Sequence, residues 1–128
     1  MKRISLLSLY VEDQDAAIDF YRNKLGFVVA EDLPFGPQRW VTLRLPDDDV
    51  ASITLKLART DEERALVGKQ AGSSPFFGMV TDDCMSEYER MKKAGVKFHG
   101  EPRVEPYGTG VTLEDLYGNK IYMNQEPT

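Results

Sequence analysis

Apolar and polar residues alternate along residues 3–11, with Leu7, Leu9 and Val11 on one side and Leu6, Ser8 and Tyr10 on the other. That period of two predicts a half-buried strand. The period then changes. Ala17, Phe20, Tyr21 and Leu25 recur at helical spacing, Asp13 is placed to cap the start, and Gly26 is placed to close the end. Strands follow at 27–31, 39–45 and 51–58. Thr60-Asp61-Glu62-Glu63 has the form of a capping box and predicts a short helix through Gly68, after which Gln70–Ser74 reads as a flexible joint. The second half predicts a strand at 76–81, a helix at 83–94, and strands at 96–100, 109–114 and 120–124.

The two halves echo each other. Val11-Glu12-Asp13 and Val80-Thr81-Asp82 both precede a helix, at an offset of 69, and Gly26 and Gly95 both close one at the same offset. Val41-Thr42-Leu43 recurs as Val111-Thr112-Leu113 at an offset of 70. Landmarks in constant order at nearly constant spacing point to an internal duplication. The expected organisation is one domain of two modules, 1–58 and 75–128, joined by a short helix and linker over 59–74. Its 128 residues are enough to bury a core without disulfides.

Composition narrows the function. The net charge of −5 argues against a nucleic-acid partner, and no apolar run is long enough to cross a membrane. Met1-Lys2-Arg3-Ile4 lacks the apolar core of a secretion leader, so a cytoplasmic protein is expected. Cys84 is the only cysteine and His99 the only histidine, which rules out an internal disulfide and the His-rich metal motifs. Asp47-Asp48-Asp49 lacks the glycine and terminal glutamate of a calcium loop and reads as a solvated turn. Gly108-Thr109-Gly110 has no strand–loop–helix around it and is no dinucleotide fingerprint. Cys84 sits in a first helical turn, where a thiol is either activated or simply packed; packing is the expected role.

Val11-x-Asp13 leading into Ala17-x-x-Phe20-Tyr21-x-x-x-Leu25-Gly26-Phe27 resembles the opening of the glyoxalase/bleomycin resistance/dioxygenase (vicinal oxygen chelate) superfamily. So do Gly95-Val96-x-Phe98, Glu101-Pro102, Pro106-Tyr107-Gly108 and Asp115-Leu116-Tyr117-Gly118-Asn119, where Leu116 and Tyr117 depart from the usual turn. The resemblance implies an α+β fold of two βαβββ modules, each curving a sheet around a cavity, in a chain that forms a homodimer. It also implies, for the enzymes of the family, a divalent metal held by His and Glu on the first and last strands of the modules. The corresponding positions here are Leu6, Lys56, Pro75 and Tyr122. None is a good ligand for such an ion. An ammonium 4 Å from an ion repels each positive charge by about 4 kcal/mol at an effective dielectric near 20. No metal and no other cofactor is therefore expected.

Side-chain alternation then predicts the wall of the cavity: Leu6, Ser8 and Tyr10 from the first strand, Trp40, Thr42 and Arg44 from the third, and Thr54 and Lys56 from the fourth. The second module would add Phe77 and Met79, Thr112 and Glu114, and Tyr122 and Asn124, with Tyr107 in a loop at the mouth. Apolar and aromatic walls with a few polar groups are how small-molecule pockets are built. The leading reading is a protein that sequesters an antibiotic or aromatic metabolite without chemistry. Trp40 would stack on a planar ligand, and Arg44 or Lys56 would orient an anionic group. The alternatives are an enzyme of the superfamily with an atypical site (a glyoxalase-like lyase or isomerase, or a dioxygenase), in which Tyr122, Lys56 and Glu114 would serve as acid–base groups for isomerisation or addition at a carbonyl, and an interaction module whose core is filled.

Overall fold

A computed structural model describes all residues, 1–128. The chain folds as two compact units, Met1–Gly68 and Lys69–Thr128. The short helix after the first module thus belongs to the first unit, and the joint that follows it to the second.

The first unit contains β1 (Leu6–Val11), α1 (Gln14–Asp19), β2 (Val28–Phe35), β3 (Gln38–Arg44), β4 (Ser52–Leu57) and α2 (Asp61–Leu66). Its sheet has the order β1-β4-β3-β2, with β1 and β4 parallel and the remaining pairs antiparallel. The second unit contains β5 (Phe77–Val80), α3 (Cys84–Lys93), β6 (Phe98–Glu105), β7 (Gly108–Glu114) and β8 (Lys120–Gln125), and its sheet repeats the order as β5-β8-β7-β6. These mixed sheets with packed helices are the expected α+β arrangement. Leu9, Val11, Val41, Leu43, Ile53 and Leu55 are buried, as their alternation requires, whereas Leu57, at the end of β4, is exposed.

The helix signals were read at the right places, but the repeat is not uniform. Asp13 caps α1 by accepting from the Ala16 N–H at 2.9 Å, and Asp83 caps α3 by accepting from the Ser86 N–H at 3.0 Å. These caps are 70 positions apart (13 and 83), while the closing glycines are 69 apart (26 and 95). The first module's extra residue is absorbed in a π-helical turn, Phe20–Lys24, directly after α1. Both helices close on a glycine, Gly26 at φ 85° and Gly95 at φ 90°, but Phe27 donates to the Tyr21 carbonyl six residues back and Val96 to the Met91 carbonyl five residues back. Aligning Asp82 with Asp13 is therefore corrected by one. The residue matching Leu6 is Phe76 rather than Pro75.

Strands β2 and β6 run further than the expected 27–31 and 96–100. β2 and β6 are edge strands that tolerate Pro34, Gly100 and Pro102, with bulges between Val29 and Glu31 and between His99 and Arg103. The capping box is present: Thr60 Oγ1 accepts from the Glu63 N–H, and Glu63 Oε1 accepts from the Arg59 N–H. Asp48 accepts from the N–H groups of Val50 and Ala51, which makes the aspartate run a local turn and holds the Asp48 carboxyl below the usual carboxylate range. Cys84 is fully buried, and burial together with the Asp83 charge raises its thiol pKa. We expect Cys84 to resist alkylation at neutral pH in the folded protein and to react at the rate of a free cysteine in denaturant; fast labelling of the native chain would contradict the packing role.

Candidate functional site

The two sheets pair differently along their central strands, and that difference makes a cleft. Strands β7 and β8 are paired continuously from Thr109–Gln125 to Glu114–Lys120. Strands β3 and β4 are paired only at Thr42–Thr54 and Leu43–Ile53. Beyond Thr42 the strands part, and the Gln14 side-chain amide donates to the freed carbonyls of Arg39 (3.2 Å) and Leu55 (3.0 Å). The opening is a cleft of about 390 Å³ within the first unit.

Side-chain size explains why one sheet closes and the other opens. In the second unit Gly110 lies diagonally across from Tyr122, and a Cβ at Gly110 would fall on the Tyr122 phenol oxygen. The glycine lets the ring lie over the strand and fill the space. In the first unit the register-equivalent pair is Trp40 and Thr54. The large residue is now on β3 and the small one on β4. Trp40 rides the β2–β3 hairpin, where its Nε1–H donates to Glu31 Oε1 at 3.1 Å and its ring lies 6.2 Å from that of Phe35. Thr54 is 2% exposed, lines the cleft, and its hydroxyl has no hydrogen-bond partner.

Trp40, Lys56 and the wall residue Tyr10 line this cleft, joined by Phe35 and, from the stretch around the start of α2, Arg59 and Glu63. Leu6 and Ser8 share the face of Tyr10 but lie at the other end of β1 and do not border the opening. Thr42 is buried and donates to Glu31 Oε1. Arg44 is turned to the carbonyls of Leu45 and Pro46, so it ties down the turn after β3 rather than reaching an anion. Arg39 is held by Asp15 and Asp32, each at 2.8 Å; Asp32 has a lowered pKa because of that hydrogen bond, and the guanidinium pKa is raised.

In the second unit, Phe77 and Met79 stand level with Ile121 and Met123, not with Tyr122. Their expected direction is thus reversed: they share the face of those buried residues, and Gly78 and Val80 take the other side. The one-residue error at the repeat caused this. Tyr107 occupies the tight β6–β7 turn and is hydrogen-bonded to Tyr122, whose phenol is pushed above its usual pKa, chiefly by burial. Thr112 pairs with Tyr122 across the ladder. Glu114 accepts from His99 Nε2 at 2.6 Å and lies 3.5 Å from the Lys97 ammonium.

Sequence reasoning missed Phe35, Arg59, Gln14 and Glu31. Arg59 immediately precedes the capping box, and Phe35 sits in a Pro-Phe-Gly-Pro hairpin tip; both were legible as loop residues but not as cleft residues. The bulge that delivers Glu31 to Trp40 leaves no mark in the alternation.

Residues 3–123 match the family described as the Glyoxalase/Bleomycin resistance protein/Dioxygenase superfamily. The chain belongs to this superfamily. An uncharacterized protein of Shewanella frigidimarina (strain NCIMB 400) is 42% identical over 115 residues, covering 88% of this chain and 85% of that protein. Among solved structures, UcmS2 has a TM-score of 0.85 at 32% identity, covering 97% of this chain and 98% of that one. TnmS3, an antibiotic binding protein from Streptomyces sp. CB03234, has a TM-score of 0.81 at 28% identity and covers 99% and 98%.

The metal expected of enzymes in this superfamily does not fit the donors here. With the register known, the face of β1 and β4 away from the core presents Leu6, Ser8, Tyr10, Ser52, Thr54 and Lys56. The same face of the second unit presents Gly78 and Val80 opposite Tyr122 and Asn124. No imidazole and no carboxylate stands on those strands' outward positions, and nowhere do three or more His, Cys, Asp or Glu side chains gather. A divalent ion would meet hydroxyls, amides and an ammonium.

Proposed function

We propose that this superfamily member is a metal-free small-molecule-binding protein that holds an aromatic ligand, an antibiotic or aromatic metabolite, in the first-unit cleft. The observation that carries the reading is the parted β3–β4 edge with Trp40 and Phe35 on one side and the unpartnered, buried Thr54 hydroxyl within. A ring stacked on Trp40 gains both area and quadrupole contact, and a ligand donor or acceptor at Thr54 satisfies a group that otherwise costs stability. The likeness to an antibiotic binding protein supports the same class. No helix is long and apolar enough to cross a membrane. A cytoplasmic homodimer is part of the proposal.

Trp40 is the only tryptophan, so its emission reports the cleft alone. Titration with planar aromatic compounds is expected to quench it saturably, and Trp40→Phe is expected to weaken binding about tenfold, as loss of an anchoring ring does. Native mass spectrometry with elemental analysis is expected to show a dimer without stoichiometric metal. A flat emission response across two- and three-ring compounds, or a bound transition metal, overturns the reading.

A further inference from the structure

We infer that the ligand of the first-unit cleft is an anionic aromatic compound, its ring carried by Trp40 and Phe35 and its acid group held between Lys56 and Arg59. This rests on reading that cleft as the binding site.

Charge is the basis. The chain carries −5 overall, yet the cleft is bordered by three cations, Arg39, Lys56 and Arg59, and one carboxylate, Glu63. Arg39 is already matched by Asp15 and Asp32. Glu63 is engaged with the Arg59 backbone N–H rather than with a side-chain cation. Lys56 and Arg59 have no carboxylate within ion-pair distance. They stand three residues apart, on the end of β4 and just after it, and both border the same opening as Trp40. An acidic protein that concentrates unmatched cations at its cleft raises the local concentration of anions there. Arg59 offers a planar fork suited to a carboxylate, phosphate or sulfonate, and Lys56 a mobile point charge.

Chemistry within the cleft sets the rest of the ligand. The Thr54 hydroxyl accepts or donates one hydrogen bond in the interior, which suits a carbonyl or hydroxyl on the ring. The second unit has no counterpart to this arrangement, because Tyr122 fills the space over Gly110 and Asn124 stands where Lys56 does. The expected stoichiometry is one anion per chain.

The test uses the full chain and two probes of equal shape, 2-naphthoate and 2-naphthamide, followed by calorimetry at low salt. The carboxylate is expected to bind about tenfold tighter than the amide, with its advantage shrinking as salt is added. Lys56→Gln and Arg59→Gln are each expected to weaken naphthoate about threefold to fivefold and to leave naphthamide unchanged. Both side chains are exposed, so the variants keep the fold, which circular dichroism checks. Equal affinity for the two probes, or variants that weaken both alike, overturns the anionic assignment and leaves the cleft as the site of a neutral ring. Binding of neither probe overturns both. A stoichiometry of two per chain, or naphthoate binding that survives the double variant, also overturns it.

Discussion

Asp115→Ala is expected to lower stability by about 3 kcal/mol, a large part of the roughly 5–15 kcal/mol that holds a domain of this size. Asp115 and Asn119 are 6% and 3% exposed, a burial that polar residues tolerate only when every group is paired. One Asp115 oxygen accepts from the N–H groups of Tyr117 and Asn119 and the other accepts from the Asn119 amide, all at 2.9 Å. Asn119 in turn accepts from the Gln70 N–H, which ties the joint at the start of the second unit to the β7–β8 turn. Alanine strands three donors at once. Asp115→Asn keeps the shape and one acceptor, so its loss is expected to be smaller. Urea unfolding followed by circular dichroism measures both, and a loss below about 1 kcal/mol for alanine would show that water replaces the carboxylate cheaply.

The second large effect lies in the other unit. Tyr21→Ala is expected to cost about 3–5 kcal/mol, the range for removing a buried aromatic. Tyr21 is fully buried, with edge-on ring contacts to Phe20 at 5.6 Å and Phe27 at 5.4 Å. It stands four residues after the buried Ala17, on the same helical face. Tyr21→Phe keeps both ring contacts and is expected to retain most of the stability. An alanine variant whose urea midpoint barely moves would mean that Phe20 and Phe27 collapse into the space.

Most of the architecture was readable because it depends on local rules: alternation in β1 and β3, Asp13 and Gly26 at the ends of one helix, Gly95 at the end of the other, and the box at Thr60. The failures share a cause. A bulge and a π turn each change the count of residues without changing their character, and an edge-strand proline continues a strand that its residue type argues against. The alternation therefore ran out at residue 31, and the second half was aligned one position early. That single step sent Phe77 and Met79 to the wrong face. The cleft was half legible. Trp40, Tyr10 and Lys56 follow from alternation, but the parting of β3 from β4 follows from the exchange of large and small residues between Gly110–Tyr122 and Trp40–Thr54, a comparison that needs the ladder register. Arg59 and Phe35 reach the site from outside the sheet, where no period applies.

The added residue inside the first helix also bears on how far the two units are interchangeable. An insertion in a loop leaves two copies swappable, because the connection stretches. An added residue in a helix either turns everything downstream by about 100° or is held in a locally wider turn. Here the wider turn Phe20–Lys24 holds it, and Phe27 reaches back six residues to the Tyr21 carbonyl where Val96 reaches back five to that of Met91. The two helices are no longer interchangeable parts, and a chimera that grafts Cys84–Lys93 in place of the first helix would arrive at its closing glycine one step short.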